Sequence, residues 1–155
     1  MTGLEKAVAP RPEVPWIQDN TVFREICRQL EAYFESVSFG FDLELDLAGT
    51  AFQRRVWHEL CKIPYGSAVS YAELARRIGQ PSASRAVGSA NGQNPIAIIV
   101  PCHRVIASGG GLGGYGGGID RKQWLLEHEA TALARHPEWL TEGLRPAAKP
   151  GLAEA

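Results

Sequence analysis

Residues 70–91 read SYAELARRIGQPSASRAVGSAN. Ser70 stands three residues before Glu73, the pattern in which a hydroxyl and a carboxylate satisfy the free backbone N–H groups of a helix start. A short helix is therefore expected to open at Ser70 and to stop at Gly79, a residue that takes the left-handed backbone conformation at no steric cost. Pro81 suits the first turn of another helix, which should run to about Asn91. A short helix, a glycine-containing break and a second helix fit a helix-turn-helix. Many helix pairs with this spacing bind nothing, so spacing alone leaves the role of the pair open.

Downstream, Ile96–Val100 is an apolar run bounded by Pro95 and Pro101, expected as a short buried strand. It leads into Val-Pro-Cys-His-Arg at 100–104, where a thiol, an imidazole and a guanidinium are adjacent. Eight glycines follow within 109–118, interrupted by Leu112 and Tyr115. Asp120-Arg-Lys-Gln123 is expected to cap a last helix running through about Ala134. Upstream, Thr50-Ala-Phe-Gln53 is another capping box, with a helix to about Cys61 and a turn at Pro64-Tyr65-Gly66. Phe41, Leu43, Leu45 and Leu47 alternate with Asp42, Glu44 and Asp46, as on a half-buried strand. A helix with Asn20 as its cap should span 21–37. Its apolar stripe runs through Val22, Phe23, Ile26, Cys27, Leu30, Tyr33, Phe34 and Val37, so Cys27 reads as a buried small hydrophobe. Residues 1–15 hold three prolines and few large apolar side chains, and read as a loose lead-in. The tail from Pro137 reads as flexible.

The 155-residue chain is 45% hydrophobic and 21% charged, ordinary for a globular domain. No apolar run is long enough to span a bilayer, and the N-terminus lacks the basic start and apolar stretch of a signal peptide. Three cysteines with no C-x-x-C pair argue against a disulfide framework and for a reducing, cytoplasmic compartment. The net charge of −1 conceals an asymmetry. Residues 1–51 carry 4 Lys/Arg against 9 Asp/Glu, whereas residues 52–135 carry 10 against 5. A basic body is compatible with a nucleic-acid partner, and equally with a solvated surface.

Cys102 can be a buried structural cysteine or a nucleophile activated by the neighbouring base. Gly111–Gly116 satisfies G-x-G-x-x-G, but no strand stands immediately before it and no acidic residue ends a second strand about 20 residues on, so a dinucleotide site is disfavoured. A loop whose backbone closely approaches something flat fits better. Cys102, His103, His58 and His128 match no zinc spacing.

Taken in order, these motifs resemble the O6-alkylguanine-DNA alkyltransferases, or methylated-DNA–protein-cysteine methyltransferases. Pro101-Cys-His-Arg104 after Asn94-Pro95 is similar to the family's acceptor motif. Residues 63–74 resemble its first helix-turn-helix segment, and Ser84-Arg-Ala-Val-Gly88 its recognition helix. Gly114-Tyr-Gly-Gly-Gly118 and Trp124-Leu-Leu-Glu-His-Glu129 resemble its closing loop and last helix. The resemblance covers about residues 50–130 without a gap.

The resemblance implies an α+β fold. A mainly helical catalytic domain at 50–135 would carry the helix-turn-helix and a short strand bearing the cysteine. A reduced N-terminal region (1–49, a disordered lead-in, one helix and one strand) would precede it, and a flexible tail (136–155) would follow. The family usually has a larger, sheet-containing N-terminal region. No zinc cluster can be assembled from residues 1–50, where Cys27 is the sole cysteine. The implied activity is DNA repair by irreversible, single-turnover transfer of an alkyl group from guanine O6, with thymine O4 as a second candidate, to Cys102. His103 would be the base, Glu129 its orienter, and Tyr71 the donor at the departing oxygen. Arg85 would enter the duplex as the target base is flipped out. Ala83, Ser84, Ala86 and Gly88 would let the helix approach the groove. Asn94 would brace the link to the cysteine, and Val105, Tyr115 and Gly116 would line the guanine pocket. The resemblance implies no cofactor and no metal, duplex DNA bearing O6-alkylguanine as partner, no membrane, and a monomer. A related class keeps the fold and lacks the acceptor cysteine; Cys102 places this chain outside it. A non-catalytic damage binder and a cysteine hydrolase are the rival readings.

Overall fold

The computed structural model describes residues 23–141, with Gln18, Thr21 and the pair 149–150. Among the described residues, six helices and four two-residue strands give a mixed, mainly helical α+β architecture. The order is α1 (Arg24–Phe34), β1 (Glu44–Leu45), α2 (Ala51–Cys61), β2 (Val69–Ser70), α3 (Tyr71–Arg77), α4 (Ser84–Gly92), a 3₁₀ turn (Cys102–Arg104), β3 (Val105–Ile106), α5 (Ile119–Arg135), α6 (Glu138–Thr141) and β4 (Lys149–Pro150). No helix among the described residues is long and apolar enough to cross a membrane.

The expected capping chemistry sets the central helices. Thr50 and Gln53 form a full capping box at the start of α2. Ser70 Oγ accepts from the Glu73 N–H and starts α3, while the Glu73 carboxylate turns to Arg76 and Arg77. Gly79 at φ 75° ends that helical stretch. The second helix of the pair starts at Ser84, three residues later than Pro81 suggests, with residues 80–83 forming a turn in which the Ala83 N–H reaches the Gln80 carbonyl. The Trp57 indole N–H donates to the Ala90 carbonyl at 2.9 Å and ties α2 to α4.

The strand expected at 96–100 is absent. Ile98 takes φ 76°, a left-handed conformation that costs a β-branched residue roughly 1–2 kcal/mol and cannot continue a ladder. An isolated bridge joins Ala97 and Val100, and the cysteine lies on the 3₁₀ turn that follows. The ladder forms one step later, with β3 pairing in parallel to β2 in the register Val69↔Val105 and Ser70↔Ile106. Ser70 is thus both a strand end and a helix cap, which sets Tyr71 beside the segment leaving the cysteine turn.

In the N-terminal region, Phe41, Leu45 and Leu47 are buried and the acidic residues between them exposed, but only Glu44 and Leu45 pair, in parallel with Lys149 and Pro150. Helix α1 is shorter than expected, with Phe23 at its N-cap; Asn20, Val22 and the lead-in lie outside the described residues. Cys27 is exposed, a correction to its expected burial. The inward face is Ile26, Gln29, Leu30 and Tyr33, and the next residue after Ile26 turns about 100° away from it. Phe34, next to Tyr33, is exposed for the same reason, whereas Val37 is exposed past the end of the helix, after the left-handed Ser36. The tail is not uniformly loose. Trp139 of α6 is buried, its ring stacked on His136 at 4.4 Å and edge-on to Tyr65.

Helix α5 runs one residue past Ala134 and starts earlier than a cap at Asp120 implies: Gly118, at φ 95°, stands at its N-cap, with Asp120 inside the first turn. Its inward stripe is Lys122, Leu125, Glu129 and Ala132, so two charged side chains enter the core on one face.

Candidate active site

Cys102 is 5% exposed, at the start of the 3₁₀ turn, and its backbone N–H reaches the Val100 carbonyl at 2.8 Å. Burial pushes its thiol pKa up. A hydrogen bond from Asn94, nearby backbone N–H groups and the Lys122 charge offset only part of that rise. The resting group is therefore a thiol, and a nucleophilic thiolate requires a base at the moment of reaction.

His103 is fully buried, with Nε2 2.7 Å from Glu129 Oε1. Burial first, then the charges of Arg104 and Lys122, lower its pKa below the ordinary value, and the Glu129 contact offsets this only in part. Glu129 is ionised: burial pushes its carboxyl up, but the His103 hydrogen bond and the Arg104 charge outweigh it and hold the carboxyl at about 2. A carboxylate only accepts, so Nε2 carries the imidazole proton and Nδ1 holds the lone pair. Nδ1 is buried and has no hydrogen-bond partner. It is an unused acceptor on the residue next to the thiol.

Glu129 is the centre of the buried polar network. Oε1 accepts from the Tyr33 hydroxyl at 2.8 Å, His103 Nε2, and Arg104 Nη2 at 2.8 Å. Oε2 accepts from Arg104 Nε at 2.9 Å and from the Gly66 N–H at 2.8 Å. Arg104 is 1% exposed, donates from Nη1 to the Ile63 carbonyl, and lies 5.5 Å from the Tyr65 ring centre. Such a pair must be well hydrogen-bonded to offset its desolvation, and this one is.

Tyr71, the first residue of α3, is half-buried, its pKa raised by burial and by the Cys102 charge. Its ring is held between α4 and the glycine run. A Cβ on Gly113, which sits at φ 68°, would lie 3.0 Å from the Tyr71 hydroxyl, and one on Gly88 would lie 3.7 Å from the ring. Tyr115 is half-buried, its pKa pushed up to about 12 by burial and the Cys102 charge. Val105 is fully buried in β3, and Gly116 is exposed with open space around it. Asn94 Nδ2 donates to the Val100 carbonyl at 2.8 Å and its Oδ1 accepts from Ile96 N–H, a brace across the chain between α4 and the cysteine turn.

An open cleft of about 350 Å³ runs between α3 and α4, lined by Tyr71, Ala72, Ser84, Arg85, Gly88, Ala107 and Ser108. Arg85 is exposed in the first turn of α4, with Ala83 at the N-cap and Ala86 exposed beside it. The fold thus brings His103 and Glu129 together in the core, with the buried Cys102 next to His103 in the chain, and Tyr71, close enough to feel the Cys102 charge, also lines the exposed cleft that carries Arg85. His58 and His128 stand apart from this arrangement. His58 is on α2, and His128 bonds the Tyr33 carbonyl and stacks on Trp124. Among the described residues, no group of three or more His, Cys, Asp or Glu side chains is placed to hold a metal.

Three residues of the site escaped the sequence reading. Arg104 lies in the motif itself and had no assigned role. Lys122 donates from Nζ to the Val105 carbonyl at 2.5 Å and lies 5.9 Å from the Tyr71 ring centre. The 122–125–129–132 spacing, with two charges on an inward stripe, is the signal that marks it and Glu129. Tyr33 lies 96 residues from Glu129 and carries no local signal.

Residues 51–131 match the family model described as the DNA-binding domain of 6-O-methylguanine DNA methyltransferase. The chain belongs to the methylated-DNA–protein-cysteine methyltransferases. It is 57% identical over 116 residues to the Mycobacterium leprae member, covering 75% of this chain and 70% of that one. It is 54% identical to the Methanosarcina barkeri member, covering 79% of each. Among solved structures, this methyltransferase is similar to the Mycobacterium tuberculosis O6-methylguanine methyltransferase, with a TM-score of 0.71 and 58% identity over 76% of this chain and 71% of that chain. A second M. tuberculosis structure, of OGT in complex with DNA, gives a TM-score of 0.74 and 56% identity over 79% and 76%.

Proposed function

We propose that this methyltransferase repairs duplex DNA by moving an alkyl group from O6 of guanine to Sγ of Cys102. The observation that carries the assignment is the buried pair His103–Glu129, which leaves an unpartnered Nδ1 on the residue adjoining a protonated, buried thiol. The thiol proton passes to Nδ1, by way of one water. The S–C bond forms as the C–O6 bond breaks, and the electron pair stays on the guanine oxygen. The Tyr71 hydroxyl donates to that oxygen, whose developing charge a positioned donor stabilises. Glu129 holds the imidazole in the tautomer the step requires. The thioether product is not readily hydrolysed, so each molecule acts once.

The target atom lies inside a stacked duplex, so the base is extruded at a cost of a few kcal/mol. Arg85 enters the vacated space from α4, and the small residues Ala83, Ser84, Ala86 and Gly88 permit close approach to the groove. Asn94 keeps α4 and the cysteine turn in fixed relation. Val105, Tyr115 and Gly116 form the side of the site facing the extruded guanine. Phosphate and shape contacts dominate over base readout, since damage arises in any sequence. Three free cysteines among the described residues suit a reducing cytoplasm.

Mass spectrometry after incubation with O6-methylguanine duplex tests this reading. One added methyl on Cys102, absent in Cys102→Ala although that variant still binds DNA, is the expected result. Tight binding without modification supports a damage binder instead, and multiple turnover on an ester supports a hydrolase.

A further inference from the structure

Resting on the reading of His103 as the base, we infer that Tyr33 is a positioning residue for alkyl transfer. Its hydroxyl, delivered by the N-terminal helix, shares with His103 the single carboxylate oxygen that orients the imidazole.

The geometry is specific. Tyr33 is fully buried and its hydroxyl lies 2.8 Å from Glu129 Oε1, the atom 2.7 Å from His103 Nε2. An oxygen that accepts from several donors gives less electron density to each, so the Tyr33 hydroxyl weakens the hold of Glu129 on the imidazole proton. The other charged or titratable groups around the pair and Tyr33 are Arg104 and Cys102 from the turn, Lys122 and His128 from α5, Cys61 at the end of α2 and Tyr65 just after it. Every one of these belongs to residues 51–131, the span of the family match; Tyr33 is the contribution from outside it.

Packing alone would be served by phenylalanine. The ring stacks on Phe41 with centres 5.5 Å apart and meets Tyr65 edge-on at 5.8 Å, and the Tyr33 carbonyl accepts from His128 at 2.9 Å. These contacts fix the ring so that the hydroxyl has one direction to point. Burial first, then the negative charge of Glu129, push the hydroxyl pKa upward. It therefore stays a donor at every pH where His103 changes state.

Tyr33→Phe preserves the ring contacts and removes only the donor. The rate of methyl transfer to Cys102 is measured against pH for the parent and the variant. Without the hydroxyl, Glu129 holds the imidazolium more tightly, and the acidic limb of the profile moves upward by roughly half a pH unit or more. The rate on the alkaline plateau changes by less than about threefold. Superimposable profiles, with only a lower melting temperature for the variant, overturn the inference and leave Tyr33 a packing residue. A parent that transfers no methyl group sinks both the inference and the reading of the site, whereas a transferring parent with an unmoved variant profile sinks the inference alone.

If Tyr33→Phe does not fold, the parent carries the test by NMR. The Tyr33 hydroxyl proton is expected as an exchange-protected resonance that shifts as the His103 imidazole titrates. A hydroxyl proton indifferent to that titration overturns the inference.

Discussion

Replacing Glu129 with glutamine removes one charge from the most connected buried group and keeps its shape. The variant leaves the Arg104 guanidinium, 1% exposed, without its anion. Removing one partner of a buried pair costs about 3–5 kcal/mol. Linkage gives a similar figure: lowering the carboxyl from 4.5 to about 2 corresponds to roughly 3 kcal/mol at neutral pH. At about 2–4 °C per kcal/mol for a chain of this size, the melting temperature should fall by about 10 °C. The sign follows from a folded-state pKa below the unfolded one. The stabilisation is complete above about pH 4.5 and is lost as pH falls toward 2, so the gap between parent and Glu129→Gln should narrow over that interval. Calorimetry at pH 7 and across that range measures it. Methyl transfer should slow by about 100-fold, since an amide does not stabilise a protonated His103, while affinity for duplex DNA stays within about twofold. A melting temperature within 2 °C of the parent at pH 7, or a gap that is constant down to pH 2.5, would refute the reasoning.

Two further substitutions probe the cleft and the turn. Arg85→Ala should slow repair in duplex DNA by about tenfold or more while leaving transfer from a free O6-alkylguanine base within about twofold, and equal losses on both substrates would count against its entry into the duplex. Gly66→Ala should cost about 2 kcal/mol or more in denaturant unfolding, because Gly66 holds φ 69° and an added Cβ would lie 2.2 Å from Leu133 Cδ1; a loss under about 0.5 kcal/mol would show that α5 yields easily there.

Local chemistry was readable in the residues wherever it was local. Both capping residues, Thr50 and Ser70, and the stop at Gly79 occur where the sequence places them, because a cap depends on residues three apart. The strand at 96–100 failed because apolarity and bounding prolines specify burial and not backbone conformation, and Ile98 takes a conformation its residue type disfavours. Cys27 was misplaced because a stripe drawn through every apolar residue of α1 is wider than the face the helix buries. At the site, His103 and Glu129 meet through a contact 26 residues long, which no spacing rule supplies; only the family resemblance implies the pair. Tyr33 had no such help, since it lies outside the span the motifs cover.

The 3₁₀ turn at Cys102–Arg104 has a consequence for what the segment can tolerate. With three residues per turn, successive side chains leave the axis about 120° apart, where a strand would send the first and third to the same side. Imidazole and guanidinium approach the same Glu129 carboxylate from two directions, while the thiol is left to Asn94 and nearby backbone N–H groups. One residue gained or lost between Pro101 and Val105 would rotate each group into its neighbour's place. Across this turn the chain's reading frame in space is fixed.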